Sequence, residues 1–149
     1  MINELNNSIS IILNSKNQSD MYWKIREIIA AEKNENKLEQ FIFLSAERGI
    51  YLACTEVAYQ YFSGYKKTIN YAKAAKYYEK VYSSLSVHDK VNLASIYINQ
   101  LSSEDKREEG YQIIESIKQK LKKSKVYEYE TKDGYTFYNI ERIKWYNYK

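Results

Sequence analysis

The feature that most restricts this chain is a spacing of 36 residues that recurs along it. Val57-Ala58 followed by Tyr61 returns as Leu93-Ala94 followed by Tyr97. The same offset links Ala74 to Gly110, Tyr77 to Ile113 and Val81 to Ile117. One step earlier it links Met21 to Val57, Lys37 to Lys73 and Phe41 to Tyr77. One register therefore threads three units, about 20–49, 53–85 and 89–122. A period of this length marks a stacked repeat, in which no unit can bury its apolar stripe alone and neighbours must cover one another.

Each unit reads as two helices. Ala53, Val57, Ala58 and Tyr61 fall on one helical stripe, and Ala74, Ala75, Tyr78, Val81, Tyr82 and Leu85 fall on the next. Val91, Ala94, Tyr97, Ile98 and Leu101, then Tyr111, Ile113, Ile114, Ile117 and Leu121, repeat the pattern. Zero prolines and four glycines leave long stretches without a breaker. Gly64 is placed to close a helix in the left-handed conformation. Asp20, Asn36 and Asn70 are candidate N-caps, and Ser86-x-x-Asp89 and Ser102-x-x-Asp105 resemble capping boxes. Small residues such as Ala46, Ala53, Ala58, Ala74 and Ala94 let paired helices approach, while large aromatics fill the space between units. The expectation is an all-α repeat domain over 20–124, preceded by an Asn- and Ser-rich segment, 1–19.

From Lys125 the periodicity changes, so 125–149 reads as an aromatic-rich C-terminal cap. Val126 to Thr131 alternates, Lys132-Asp133-Gly134 signals a turn, and Tyr135 to Tyr138 resumes strand-forming residues. A hairpin is preferred there to a helix. Ile140 to Tyr148 reads as a third strand or a short helix. An isolated hairpin is marginal in water, so this one should pack on the last helical unit.

These residues resemble a known family, the Sel-one-like repeat, a relative of the tetratricopeptide repeat. The second unit matches with Ala53, Val57-Ala58, Tyr61, Gly64, Asn70, Lys73-Ala74 and Tyr77, and the first with Lys37, Phe41, Ser45-Ala46 and Gly49. The likeness covers roughly 20–120. It departs at Lys66-Lys67, at Gln100 in a glycine place, and at Glu109-Gly110 in a Lys-Ala place. The resemblance implies a right-handed α-solenoid of about three two-helix repeats, used for protein–protein contact. It names no partner.

Groups that carry chemistry are scarce. The single histidine, His88, stands beside a capping serine, and the single cysteine, Cys54, stands among small core residues. One His and one Cys do not make a zinc site, and a nucleophilic Cys54 would need a nearby base. No Gly-rich phosphate loop, HExxH motif or diagnostic carboxylate pair occurs. No cofactor and no metal are expected, and the chain is read as not an enzyme. No run approaches the roughly 20 apolar residues that span a bilayer, and no signal peptide is recognised, so a cytoplasmic protein without membrane contact is expected.

The expected mode of action is binding to another protein. Tyrosine occurs 17 times in 149 residues. Tyr127, Tyr129, Tyr135, Phe137, Tyr138, Trp145 and Tyr146 serve either to cap the repeat or to contact a partner, roles that two faces of one segment can share. Glu104, Asp105, Glu108 and Glu109, with Glu128 and Glu130, can mimic phosphate toward a nuclease. By analogy, size and composition suggest a bacterial immunity protein that binds and occludes a cognate toxin. The alternatives are an adaptor holding a peptide in the repeat groove, and nucleic-acid binding through 118–148. In the latter, Lys118, Lys120, Lys122, Lys123 and Lys125 lead into the tyrosines.

Overall fold

The computed structural model describes residues 1–121 and 125–140. The reading of Ile140–Tyr148 as a strand or helix, and the candidate contacts Trp145 and Tyr146, lie outside the described residues. Seven helices are described: α1 (Ile2–Leu13), α2 (Gln18–Ala31), α3 (Glu35–Glu47), α4 (Tyr51–Ser63), α5 (Tyr71–Lys80), α6 (Val87–Ile98) and α7 (Arg107–Lys120). A 3-10 turn at Tyr82–Ser84 follows α5, and two strands, β1 (Val126–Glu130) and β2 (Thr136–Ile140), complete the chain order. The fold is mostly helical, with neighbouring helices packed on one another and one small sheet.

Asparagines start three of the helices. The side-chain oxygens of Asn17, Asn34 and Asn70 accept from the backbone N–H groups of Asp20, Lys37 and Lys73 at 3.0, 3.1 and 3.0 Å. Each satisfies one of the four N–H groups that a helix start leaves unpaired. Asp20 is therefore not the cap; its carboxylate accepts from the capping residue's side chain, Asn17 Nδ2, at 2.8 Å, while the Asn17 N–H donates to the Ser15 hydroxyl. Asn36 lies inside the first turn of α3, because Lys33 at φ 57 reverses the chain and leaves Asn34 extended at the cap position. Ser86 caps α6 through the Asp89 N–H at 3.2 Å, as its spacing suggests. Ser102 caps nothing: its hydroxyl donates to the Glu104 carbonyl, and α7 begins at Arg107 with no side-chain cap.

The 36-residue offset reappears in the backbone. α3, α5 and α7 begin at Glu35, Tyr71 and Arg107, two steps of 36. Gly64 and Gln100, also 36 apart, both hold left-handed backbone with φ of 81° and 56°. At the third corresponding pair, Ala74 is fully buried and Gly110 is tighter still. A Cβ on Gly110 would lie 2.8 Å from the Ala94 carbonyl oxygen, so only glycine lets α7 approach α6 this closely.

Two apolar clusters form the core. The larger runs from α1 to α6 and includes the stacked pair Tyr22 and Phe41, with centroids 5.5 Å apart. Within it, Leu5, Ile9 and Ile12 of α1 lie one or two turns apart on one face and are fully buried. Residues 1–19 thus hold an amphipathic helix that packs on α2 and α3. The smaller cluster joins α6, α7 and β2 through Val91, Ala94, Ile98, Ile114, Ile117, Tyr138 and Ile140. Tyrosine hydroxyls tie distant helices by reaching a carboxylate. Tyr22 donates to Glu56, which also pairs with Arg26 at 2.7 Å; Tyr77 donates to Glu47; Tyr97 donates to Glu79 at 2.8 Å.

β1 and β2 pair antiparallel with Val126 opposite Ile140 and Tyr129 opposite Phe137. Gly134, at φ 84°, donates to the Thr131 carbonyl and closes the turn that Asp133-Gly134 signals. The C-terminal segment is thus a hairpin over its described part, and it packs on α6.

Candidate partner-binding surface

The hairpin has an anchored strand and a presented strand. Along β2, the Asn99 side chain donates to the Thr136 carbonyl at 2.7 Å and accepts from the Thr136 N–H at 3.3 Å. Two residues on, the Ser95 hydroxyl accepts from the Tyr138 N–H at 2.9 Å. Asn99, the C-cap of α6, follows Ser95 by one helical turn, so the end of α6 supplies hydrogen bonds to one edge of β2. That arrangement blunts a strand edge that would otherwise be free to pair with another chain.

The anchoring side chains point to both sides of β2. Phe137, 1% exposed, sits in the larger core, with centroid distances of 5.2 Å to both Phe62 and Tyr71. Tyr138, 7% exposed, and Ile140 enter the smaller cluster against α6 and α7. Tyr135 is half-buried, edge-on to Tyr71 at 6.2 Å. Of the aromatics singled out in the sequence, these three hold the hairpin down.

β1 is exposed along almost its whole length. Tyr127 and Tyr129 are 44% and 41% exposed, and Glu128 and Glu130 alternate with them toward the other face. Tyr129 packs edge-on against Phe137 at 6.1 Å. Glu104, Asp105, Glu108 and Glu109 are exposed in the loop before α7 and in its first turn. Carboxylates there suit the positive end of the helix, so their charge is part of how α7 starts. Lys106 and Arg107 interrupt the acidic run, and Lys106 lies 3.8 Å from Glu104.

Between α5, α6 and α7 lies an open trough of about 540 Å³. It runs beside α7 from Glu109 to Lys120 and reaches Tyr82 in the turn after α5. Val87, Ile113 and Ile117 line it together with the rings of Tyr82 and Tyr97. Glu79, Lys106 and Glu109 border one end. α6 and α7 form a helical hairpin joined by 99–106, so Lys90 near the start of α6 and Lys120 at the end of α7 share the other end. In sequence Tyr82, Tyr97, Ile113 and Ile117 read as stripe residues, Glu109 as acidic and Lys120 as part of a basic run; that they line one trough follows only from how the helices pack.

The titratable groups elsewhere serve the fold. Cys54 is fully buried with Sγ 3.2 Å from the Ala46 carbonyl, and burial pushes its thiol up to about 11. A thiol held protonated is a weak nucleophile. Burial likewise raises the Tyr22, Tyr78 and Tyr97 hydroxyls and keeps them neutral; Tyr22 and Tyr97 donate to carboxylates, while Tyr78 accepts from Asn92 Nδ2 at 3.2 Å. His88 is exposed. Among the described residues, no group of three or more His, Cys, Asp or Glu side chains is placed to hold a metal. Also among them, no helix is long and apolar enough to cross a membrane.

No family model matches the chain, and neither a curated protein nor a solved structure was found to match it.

Proposed function

We propose that this chain is a non-catalytic binding protein that engages a protein partner through the presented strand β1 and the acidic loop before α7. The observation that carries this reading is the division of labour in the hairpin. Phe137, Tyr138 and Ile140 are buried, while Tyr127, Tyr129, Glu128 and Glu130 lie exposed on the strand paired with theirs. Ordered tyrosines that need no further immobilisation are efficient contact residues, because the entropy of fixing them is already met by the fold. The specific role we favour is that of an inhibitor, a bacterial immunity protein occluding a cognate toxin, with the carboxylates of Glu104, Asp105, Glu108 and Glu109 facing a basic active site. As the architecture we infer a right-handed solenoid of degenerate Sel-one-like repeats. The 36-residue steps between helix starts, and between Gly64 and Gln100, support it.

Co-expression with the product of a neighbouring toxin-like gene tests the inhibitor role. Protection of the host by the wild-type chain, lost in Tyr129→Ser/Glu130→Lys while the fold is retained, is the expected outcome. Protection that survives this variant places the contact elsewhere. Protection absent altogether removes the inhibitor role.

A further inference from the structure

We propose that the trough between α5, α6 and α7 is a second binding site, which takes an extended acidic peptide segment carrying apolar side chains. Three observations argue for this occupant. The first is size. The trough follows α7 from Glu109 to Lys120, a rise of about 16 Å at 1.5 Å per residue, which accommodates about five residues of extended chain. The second is the floor. Val87, Ile113 and Ile117 with Tyr82 give apolar contact, while Gln112 and Ser116 offer hydrogen bonds to a passing backbone.

The third is charge. At one end the ionic groups satisfy each other: Glu79 accepts from Tyr97 at 2.8 Å and lies 3.7 Å from Lys106. Glu109 sits in the first turn of α7, where the helix dipole offsets it. At the other end, among the described residues, no carboxylate lies within ion-pair distance of Lys90 or Lys120. Lys90 stands over the Tyr82 ring at 5.6 Å, and the positive end of α6 adds to its field. The nearest acid in sequence, Asp89, is engaged by Ser86 and does not line the trough. A carboxylate of the occupant therefore belongs at the Lys90–Lys120 end, with its apolar side chains along the floor. This site stands apart from β1, so it does not depend on the role of the hairpin.

Fluorescence anisotropy on the full chain tests the proposal with three dye-labelled probes. These are a peptide of about eight residues alternating Glu and Leu, the same peptide with Lys for Glu, and an oligothymidylate of similar length. The wild-type chain should bind the acidic peptide at least about tenfold more tightly than the basic one. Lys90→Glu/Lys120→Glu should cost about tenfold in affinity, and Ser116→Trp, which fills the trough from an exposed position, should lower it comparably. Tyr129→Ser on the hairpin should leave it unchanged. Circular dichroism of each variant confirms folding. Equal binding of the two peptides, indifference to both trough variants, or preferential binding of the oligonucleotide would each overturn the proposal.

Discussion

Asn99 grips Thr136 from both sides of its peptide unit, donating to the carbonyl at 2.7 Å and accepting from the N–H at 3.3 Å. One side chain capping α6 thus does what a third strand would do, and it holds a hairpin 37 residues further along the chain. Asn99→Ala removes both bonds and leaves two backbone groups of β2 to be satisfied by water. The expected cost is about 1–3 kcal/mol, read by urea denaturation. Amide exchange should show the hairpin losing protection before the helices do.

Gln100 occupies left-handed backbone at φ 56°, the place that Gly64 fills one repeat earlier. A side chain in that conformation costs roughly 1–2 kcal/mol, which glycine avoids. Gln100 is exposed, so Gln100→Gly loses little contact and is expected to stabilise the chain by about 1 kcal/mol in the same denaturation assay.

Gly110 faces the opposite constraint. Gly110→Ala places a methyl 2.8 Å from the Ala94 carbonyl oxygen and within 3.0 Å of Tyr97 Cβ. Neither neighbour is the free end of a flexible side chain, so α7 must shift. The expected loss is about 1–3 kcal/mol, despite the better helix propensity of alanine. A gain in stability would show that the α6–α7 approach is looser than described.

The hydrogen bond from Tyr77, helped by Lys80 and Lys76, holds the Glu47 carboxyl below its ordinary 4.5 against the opposing effect of burial. A lowered folded-state value means that the stability this group contributes is present above 4.5 and is lost as pH falls through the folded value. The stability gap between the wild-type chain and Tyr77→Phe should therefore be constant near neutrality and narrow as the solution is acidified. A gap that widens in acid would contradict the assignment.

Much of the helical arrangement was legible in the sequence, because it rests on local physics. The Gly64 stop, the Asn70 and Ser86 caps and the Asp133-Gly134 turn are each set by a few residues acting on their own backbone. The caps at Asp20 and Asn36 were misplaced by two or three residues. The reversal at Lys33 and the cap at Asn17 decide those starts, and neither gives a periodic signal. Phe137 and Tyr138 illustrate a different limit. Consecutive residues on a strand point to opposite faces, so one expects one inside and one outside. Both are buried here because β2 is wedged between two clusters, a fact of tertiary packing. The trough was invisible for the same reason, since its lining comes from three helices brought together only by the fold.

We propose β1 as a protein-contacting strand backed by a buried one. The most direct measurement is quantitative capture from nuclease-treated host lysate by the immobilised wild-type chain and by Tyr129→Ser/Glu130→Lys, both verified as folded. A discrete protein that survives nuclease treatment should be retained by the wild-type chain and reduced about tenfold or more by the variant. Capture that disappears with nuclease, or that is equal for the two chains, would contradict it.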